Sequence, residues 1–438
     1  MAEWIELIGK KKAGESLEPE EILRFVEGVV RDEIVAEQAA AFLMAAVLNG
    51  LDEEETACLT QALMNSGQTL AFSDLGYPPV DIGETGSFGS DGAVIAIPIA
   101  ASYGAKLPVV AEKALGGFGG LLDKFEAIPG FRTDLGTHEF QDGVRNLGVA
   151  IAGQTTELAP ADTKINQLRT RTGTLGGISL TVASLLARKA GAGVRGLVAD
   201  IACGTGGFAK SLSEAHQLAD MLFNVGEGLG IHITGVITQR NAPVGACVGD
   251  VLELKESLEV LKGGGNEALR ELAIELASGL LVIGQLATDH AHGAKLAREA
   301  LADGRAYAKL KDLVSNQGGD PMALENPDHL PRGQSQRAIQ TQRPGYVKAV
   351  DCEALGRAWV CLGGSRENRG DSTDHRVGME ILKRVGDRVE RGEPLVTLHT
   401  SEKSKTESAI ELVEEAYLIS PDPVEKERSI LETFGRRR

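Results

Sequence analysis

Aromatic side chains are scarce in this sequence, at 4% of 438 residues with only 2 Trp and 5 Tyr. Positive charge is also short, because 45 Lys and Arg face 62 Asp and Glu, a formal net charge of −17. Nucleic acid and anionic membrane surfaces both select for a basic face, so neither is an expected partner. The 5 cysteines include no CxxC pair, and an odd, scattered set fits a reducing cytoplasm better than a disulfide framework. None of the 8 histidines sits at HExxH or finger spacing, which removes zinc from the expected cofactors. Apolar runs are short and broken by Pro98, glycine or charge, so no segment is expected to span a bilayer. The opening MAEWIELIGKKK is amphipathic and does not read as an export leader.

Length and periodicity supply what the chain does contain. At 438 residues it exceeds a single hydrophobic core and calls for two or three domains. EPEEILRFVEGVV, VAEQAAAFLMAAVLNG and DEEETACLTQALMNSG space apolar residues by three and four, so residues 1–66 read as helices. From Val80 onward short β-prone runs, LPVVAE, RGLVADIACG and IHITGVIT, alternate with helical stretches such as LSEAHQLADMLFNVGEGLG. That alternation predicts a largely parallel sheet covered by helices. Residues 264–315 read as helical again, and NQGGDPMALENPDHLPRGQSQ reads as a connecting loop. After Arg343 short strands are expected to dominate, GYVKAV and RAWVCLGG among them.

One stretch carries chemistry. DIGETGSFGSDG, from Asp81 to Gly92, places four glycines between an apolar approach and an apolar run. This is the layout of a loop that cradles an anion with backbone N–H groups. Yet it holds no Lys or Arg, and it carries Glu84 and Asp91. Asp91 is expected to cap the following helix.

Five ordered phrases extend the pattern: LDKFEAIPGF (122–131), LGVAIAGQTTELAPAD (147–162), LTVASLLARKAGAG (180–193), GDVLELKE (249–256) and DHRVGMEILKRVGDRVERGEPLVTLH (374–399). Through them the chain resembles the thymidine phosphorylase and pyrimidine-nucleoside phosphorylase family along nearly its whole length. The resemblance implies a nucleoside phosphorylase/phosphoribosyltransferase-like α/β fold in three parts. A helical domain takes residues 1–66 and 161–191, and a mixed α/β domain takes 75–160 and 192–335. A C-terminal α+β module takes 343–438. It also implies a cytoplasmic homodimer joined through the helices, a pyrimidine nucleoside as substrate and no organic cofactor.

Carried over position by position, the resemblance divides the site into two walls. On the anion side Asp81, Thr85, Gly86 and Gly89 match the family loop. The family's Lys, His and Ser stand here as Ile82, Gly83 and Glu84. Further phosphate-side positions are Ala93, Ala111, Leu121 and Ala202, and the family's Arg is Lys113. Every side chain expected on phosphate is therefore replaced, and a carboxylate among the remaining amides repels an anion. On the base side Arg169 and Ser184 match residues that hold and polarise the ring, the family's Lys is replaced by Arg188, and Leu115 and Phe208 match positions that line the pocket. Residues 184 and 188 lie one helical turn apart on one face. A monovalent-cation site, potassium in type, would use Gly89, Val244 and Cys247 carbonyls with Glu256.

Several readings stay open on the sequence. Arg169, Ser184 and Arg188 fit either base recognition or helix packing, and Glu256 fits either a cation ligand or a solvated helix face. Glu84 fits a general base or nucleophile for water or another acceptor, or a carboxylate that merely braces its own loop. Lys113 could offset Glu84, and Lys124 fits a structural ion pair. The expected function is glycosyl transfer at the N-glycosidic bond of a pyrimidine nucleoside. The alternatives are ordinary phosphorolysis using backbone N–H groups and Lys113, a phosphate-independent hydrolase or base-exchange enzyme using Glu84, and a non-catalytic nucleoside-binding protein.

Overall fold

The computed structural model describes residues 2–89, 92–114, 119–155, 157–366 and 371–435. Leu115 and Asp91 lie outside them, so the readings placed on these two are not taken further.

The central sheet is built from β1 (Val80–Glu84), β2 (Leu107–Ala111), β3 (Val149–Gly153), β4 (Gly196–Cys203) and β5 (His232–Gln239). β1, β4 and β5 pair in parallel, as do β2 and β3, and a parallel bridge from Pro79 to Lys106 joins the two sets. All eight residues of β4 are buried, as a central strand with helices on both faces requires. Its side chains divide with period two. Val198 faces the cluster of helices Ala93–Ser102 and Glu267–Ile283, whereas Leu197, Ala199 and Ile201 face Leu186, Leu218 and Leu222. Buried on both sides, such strands read as continuous apolar runs, which is why LPVVAE and RGLVADIACG were legible.

The N-terminal helices Pro19–Val30, Ala36–Asn49 and Glu53–Asn65 share one apolar cluster with helices Pro160–Thr172 and Ile178–Gly191. The last of these is buried along most of its length and touches both this cluster and the sheet. It is the wall that carries Ser184 and Arg188 toward the ends of the strands.

The remaining strands are β6 (Cys247–Val248), β7 (Ser335–Gln340), β8 (Gly345–Val350), β9 (Gly378–Ile381), β10 (Arg388–Val389), β11 (Pro394–Thr400), β12 (Tyr417–Ser420) and β13 (Ile430–Gly435). They form two antiparallel sheets, β6-β9-β11-β7 and β10-β8-β12, around a core centred on Trp359. β13 instead leaves this region and pairs antiparallel with β5 at the edge of the large sheet.

Two sequence expectations are corrected here. RAWVCLGG is not a strand; it closes the helix Cys352–Leu362. Asp351 caps that helix by accepting from the N–H groups of Glu353 and Ala354, and Cys352, Leu355, Trp359 and Leu362 fall on its buried face at three- and four-residue spacing. The expected loop after Ser315 contains the short helix Met322–Glu325 and then enters β7.

Candidate active site

Ligands of open parallel sheets bind beyond the carboxyl ends of the strands. Here that edge carries Glu84 at the end of β1, Ala111 and Glu112 at the end of β2, and Asp200 to Cys203 at the end of β4. Pairing sets Glu84 level with Asp200, and counting from the Pro79–Lys106 bridge sets it level with Ala111.

The glycine loop is anchored at each described step. Asp81 is fully buried and pairs with Lys189 at 2.6 Å, while accepting from the N–H of Ile82 at 2.7 Å. Burial pushes its carboxyl above the ordinary range, against the pull of Lys189. Ile82 is buried in the apolar cluster on the far face of the sheet. At Gly83 a Cβ would meet Leu197 and Leu185 at 3.2–3.3 Å, so leucines fill the space a side chain would need. The Thr85 hydroxyl accepts from Ala202 N–H at 3.1 Å and donates to the Asp200 carbonyl at 3.4 Å. Thr85 N–H and Phe88 N–H donate to the carbonyls of Asp200 and Gly206, at 3.2 and 2.9 Å. The Phe88 ring inserts into the apolar core around Trp359. Gly86 and Gly89 adopt φ of +91° and +83°, and a Cβ on Gly89 would lie 2.5 Å from Pro243.

Lys113 does not offset Glu84. Its ammonium pairs with the Glu126 carboxylate at 2.7 Å, in an exposed position. Lys124 makes the expected structural pair, with Glu253 at 3.1 Å, and both are buried.

On the helical wall Arg188 Nη1 donates to Glu112 Oε1 at 2.7 Å, Ser184 Oγ at 2.8 Å and Asp162 Oδ2 at 3.2 Å. Asn166 donates to both Ser184 Oγ and Asp162 Oδ2, at 2.7 and 3.1 Å. Asp162 is fully buried, its Oδ1 has no hydrogen-bond partner among the described residues, and burial pushes its carboxyl up. Arg169 is also buried, and its guanidinium reaches the carbonyls of Thr174, Leu175 and Leu180 with the oxygens of Asn166 and Thr181. Arg169 and Ser184 border an enclosed cavity of about 10 Å³ beside Phe25, Phe42 and Leu63. Such a space holds about one water and no base. Phe208 is half-buried against the cluster beside β4.

Three of the residues expected to hold potassium have protein partners of their own. The Val244 carbonyl accepts from Arg384 Nη1 at 3.0 Å, and the neighbouring Gly245 carbonyl accepts from Nη2. The Glu256 carboxylate accepts from Ala246 N–H at 2.6 Å and Cys247 N–H at 3.3 Å, while Cys247 is paired in β6 with Glu380. Thus a guanidinium from the C-terminal region sits on one of the four proposed ligands and is attracted by another.

Sequence reasoning missed two features. Glu112 joins the Arg188 cluster, and its only sequence signal was a carboxylate beside the glycine-rich AEKALGGFGG. The second feature is a buried charge network. Arg366 pairs with Asp123 at 2.7 Å and His375 with Asp250 at 2.7 Å, beside the Lys124–Glu253 pair. Asp123, Asp250 and His375 offer ligand atoms within 4.8 Å of one another. Arg366 on Asp123 supplies the positive charge a metal would bring, so the cluster works as an ion network.

Comparison with known proteins assigns this helical bundle and α/β sheet to a glycosyl-transferase class of enzyme. Residues 5–67 match the helical bundle domain of a glycosyl transferase family, and 76–307 match its a/b domain. Residues 346–420 match the pyrimidine nucleoside phosphorylase C-terminal domain. The chain is 34% identical to a pyrimidine-nucleoside phosphorylase of Staphylococcus epidermidis, over 91% of this chain and 92% of that one. It is also 34% identical to one from Staphylococcus aureus, over 96% and 98%. An anthranilate phosphoribosyltransferase from Thermus thermophilus shares the fold, at a TM-score of 0.59 and 20% identity over 71% of this chain and 99% of that one. The chain belongs to the pyrimidine-nucleoside phosphorylase family and is a pentosyltransferase-type enzyme. Among the described residues no helix is long and apolar enough to cross a membrane.

Proposed function

We propose that the enzyme cleaves or forms the N-glycosidic bond of a pyrimidine nucleoside, with an acceptor other than inorganic phosphate. The family supports the bond and the substrate class. The carrying observation for the acceptor is the loop at Glu84 to Gly89. Its Thr85 hydroxyl and its Thr85 and Phe88 amides are engaged by the chain itself, and Ile82, Ala111, Leu121 and Ala202 offer no side-chain donor. In this reading Arg188 faces the base, Ser184 fixes its rotamer, and Arg169 is the buried scaffold of that wall.

Glu84, partly exposed at the end of β1, stands where an acceptor would be activated. As general base it takes a proton from water or from a sugar-acceptor group, whose oxygen then bonds to C1′ as the C1′–N1 bond breaks toward the base. Positioning and electrostatics carry the rest, and no organic cofactor is required. The protein is read as a cytoplasmic homodimer; exposed Ile5, Leu23, Met44 and Leu48 on the N-terminal helices support an interface there.

The test is incubation of a nucleoside panel with and without phosphate, reading free base by chromatography. Base should appear in phosphate-free buffer, and Glu84→Gln should slow it by roughly 10²–10⁴, the usual loss of a general base. Turnover that requires phosphate and survives Glu84→Gln would reverse the acceptor assignment.

A further inference from the structure

We propose that Arg366, from the C-terminal region, is a positioning residue of the active site. Through Asp123 and Ala114 it sets where the base-side wall is held. The inference rests on the reading of Arg188 as the base-side cation.

Both loops at the strand-end edge enter the C-terminal core. Phe88 from the glycine loop and Ala114 from the segment after β2 are buried in the cluster around Trp359. The two loops are also tied to each other, because Gly119 N–H donates to the Ser87 carbonyl at 3.0 Å. The C-terminal region thus grips the two segments that border the cleft.

Arg366 is the polar end of that grip. Its Nη1 donates to Asp123 Oδ1 at 2.7 Å and to the Ala114 carbonyl at 3.4 Å. The other carboxylate oxygen, Asp123 Oδ2, accepts from Ala114 N–H. One ion pair therefore engages both backbone groups of a single residue, and all three residues are buried. Nε and Nη2 donate to the Asp371 carbonyl at 3.1 Å and the Thr373 hydroxyl at 3.3 Å, which fixes the plane of the guanidinium. A carboxylate held at both oxygens leaves Ala114 little freedom.

A displacement of Ala114 reaches the base-side wall within two residues. The Glu112 carboxylate holds Arg188 Nη1 at 2.7 Å, and the Glu112 carbonyl accepts from Leu122 N–H at 3.4 Å, beside Asp123. The turn has no slack where it crosses itself, since a Cβ on Gly120 would lie 2.2 Å from the Ala114 nitrogen. A shift of the Arg366–Asp123 pair is carried to Glu112 and Arg188, because close-packed segments transmit displacement instead of absorbing it. In a site that works by positioning, an error of about 1 Å costs up to about 10²-fold.

The experiment measures KM and kcat of the full chain for uridine and thymidine, with and without phosphate. Wild type is compared with Arg366→Gln, Arg366→Lys and Asp123→Asn, each confirmed as folded by circular dichroism. Arg366→Gln should raise KM at least about tenfold while kcat changes less than about twofold, the pattern of lost ring binding. A role in stability alone would remove active enzyme, lowering apparent kcat at an unchanged KM, and that result overturns the inference. Arg366→Lys brings three donors to the oxygens that Nη1 serves and should recover most of the wild-type KM. Asp123→Asn has one oxygen for two donors, so it should repeat the rise in KM, and it replaces Arg366→Gln should that variant not fold. In a Glu112→Gln background Arg366→Gln should add less than its full effect, because both act on Arg188. Effects that multiply independently would overturn the inference. Should wild type turn over no nucleoside, the glycosyl-transfer reading fails by itself, and hydrogen exchange decides the positioning. Faster exchange of peptides containing Ala114 in Arg366→Gln sustains it; unchanged exchange there overturns it.

Discussion

Asp81 and Lys189 meet at 2.6 Å with almost no exposed surface, and the same ammonium reaches the Val110 carbonyl at 2.9 Å. The pair fixes β1, β2 and the helix of Ser184 and Arg188 to one another, beneath the cleft. Removing one partner leaves an uncompensated buried charge, which costs far more than the pair itself contributes. Lys189→Met should therefore destabilise the protein by about 3–5 kcal/mol, read as a lower midpoint in urea unfolding. A shift under about 0.5 kcal/mol, the usual surface value, would mean that Asp81 is already neutral there. The family resemblance pointed to Arg169, Ser184 and Arg188, and the structure carries them on helices Pro160–Thr172 and Ile178–Gly191. The sequence could not show that the Arg169 guanidinium is enclosed by the Thr174, Leu175 and Leu180 carbonyls, or that Glu112 meets Arg188 from 76 residues away. Those contacts depend on tertiary placement, which residue spacing does not encode.

Among elements, the alternating strands and helices of the large sheet were readable from periodicity, whereas RAWVCLGG was not. Three β-prone residues, Trp359, Val360 and Cys361, favour a strand locally, and burial of one helix face against Trp359's neighbours overrides that preference. β13 was equally hidden, since an edge strand that returns from the chain's end gives no sign of its partner. The Arg384 contact belongs to this scale as well: it links the turn after β9 to the segment before β6, 140 residues earlier. A guanidinium on the Val244 and Gly245 carbonyls puts a positive charge where potassium was expected. Replacing potassium by sodium or choline should leave the wild-type rate unchanged. Arg384→Met should be slower and should respond to potassium. Activation of the wild type by potassium would show that the carbonyls are open in solution.

For the whole molecule, the junction between sheet and C-terminal region depends on one proton. Asp123, Glu253 and Asp250 face Arg366, Lys124 and His375, so three carboxylates balance three cations only when His375 is protonated. Burial lifts the Asp250 carboxyl to about 6, against its bond to His375, and its Oδ1 has no hydrogen-bond partner among the described residues. Burial opposes protonation of His375 most strongly, but its hydrogen bond to Asp250 and the charges of Asp250, Asp123 and Glu126 together outweigh it and raise the imidazole above 6.5. The two groups titrate as a pair, and both shifts act in one direction. A histidine raised on folding contributes fully below its unfolded pKa and loses that contribution as pH climbs through the folded value. Asp250, also raised, binds its proton more tightly in the native state, so its contribution falls between 3.8 and about 6. Thermal stability should therefore decline as pH rises above 6.5, and limited proteolysis should begin in the C-terminal region. His375→Asn keeps a donor for Asp250 but cannot titrate, so its stability profile should be flatter in that window. Parallel profiles for wild type and His375→Asn would place the pH dependence elsewhere in the chain.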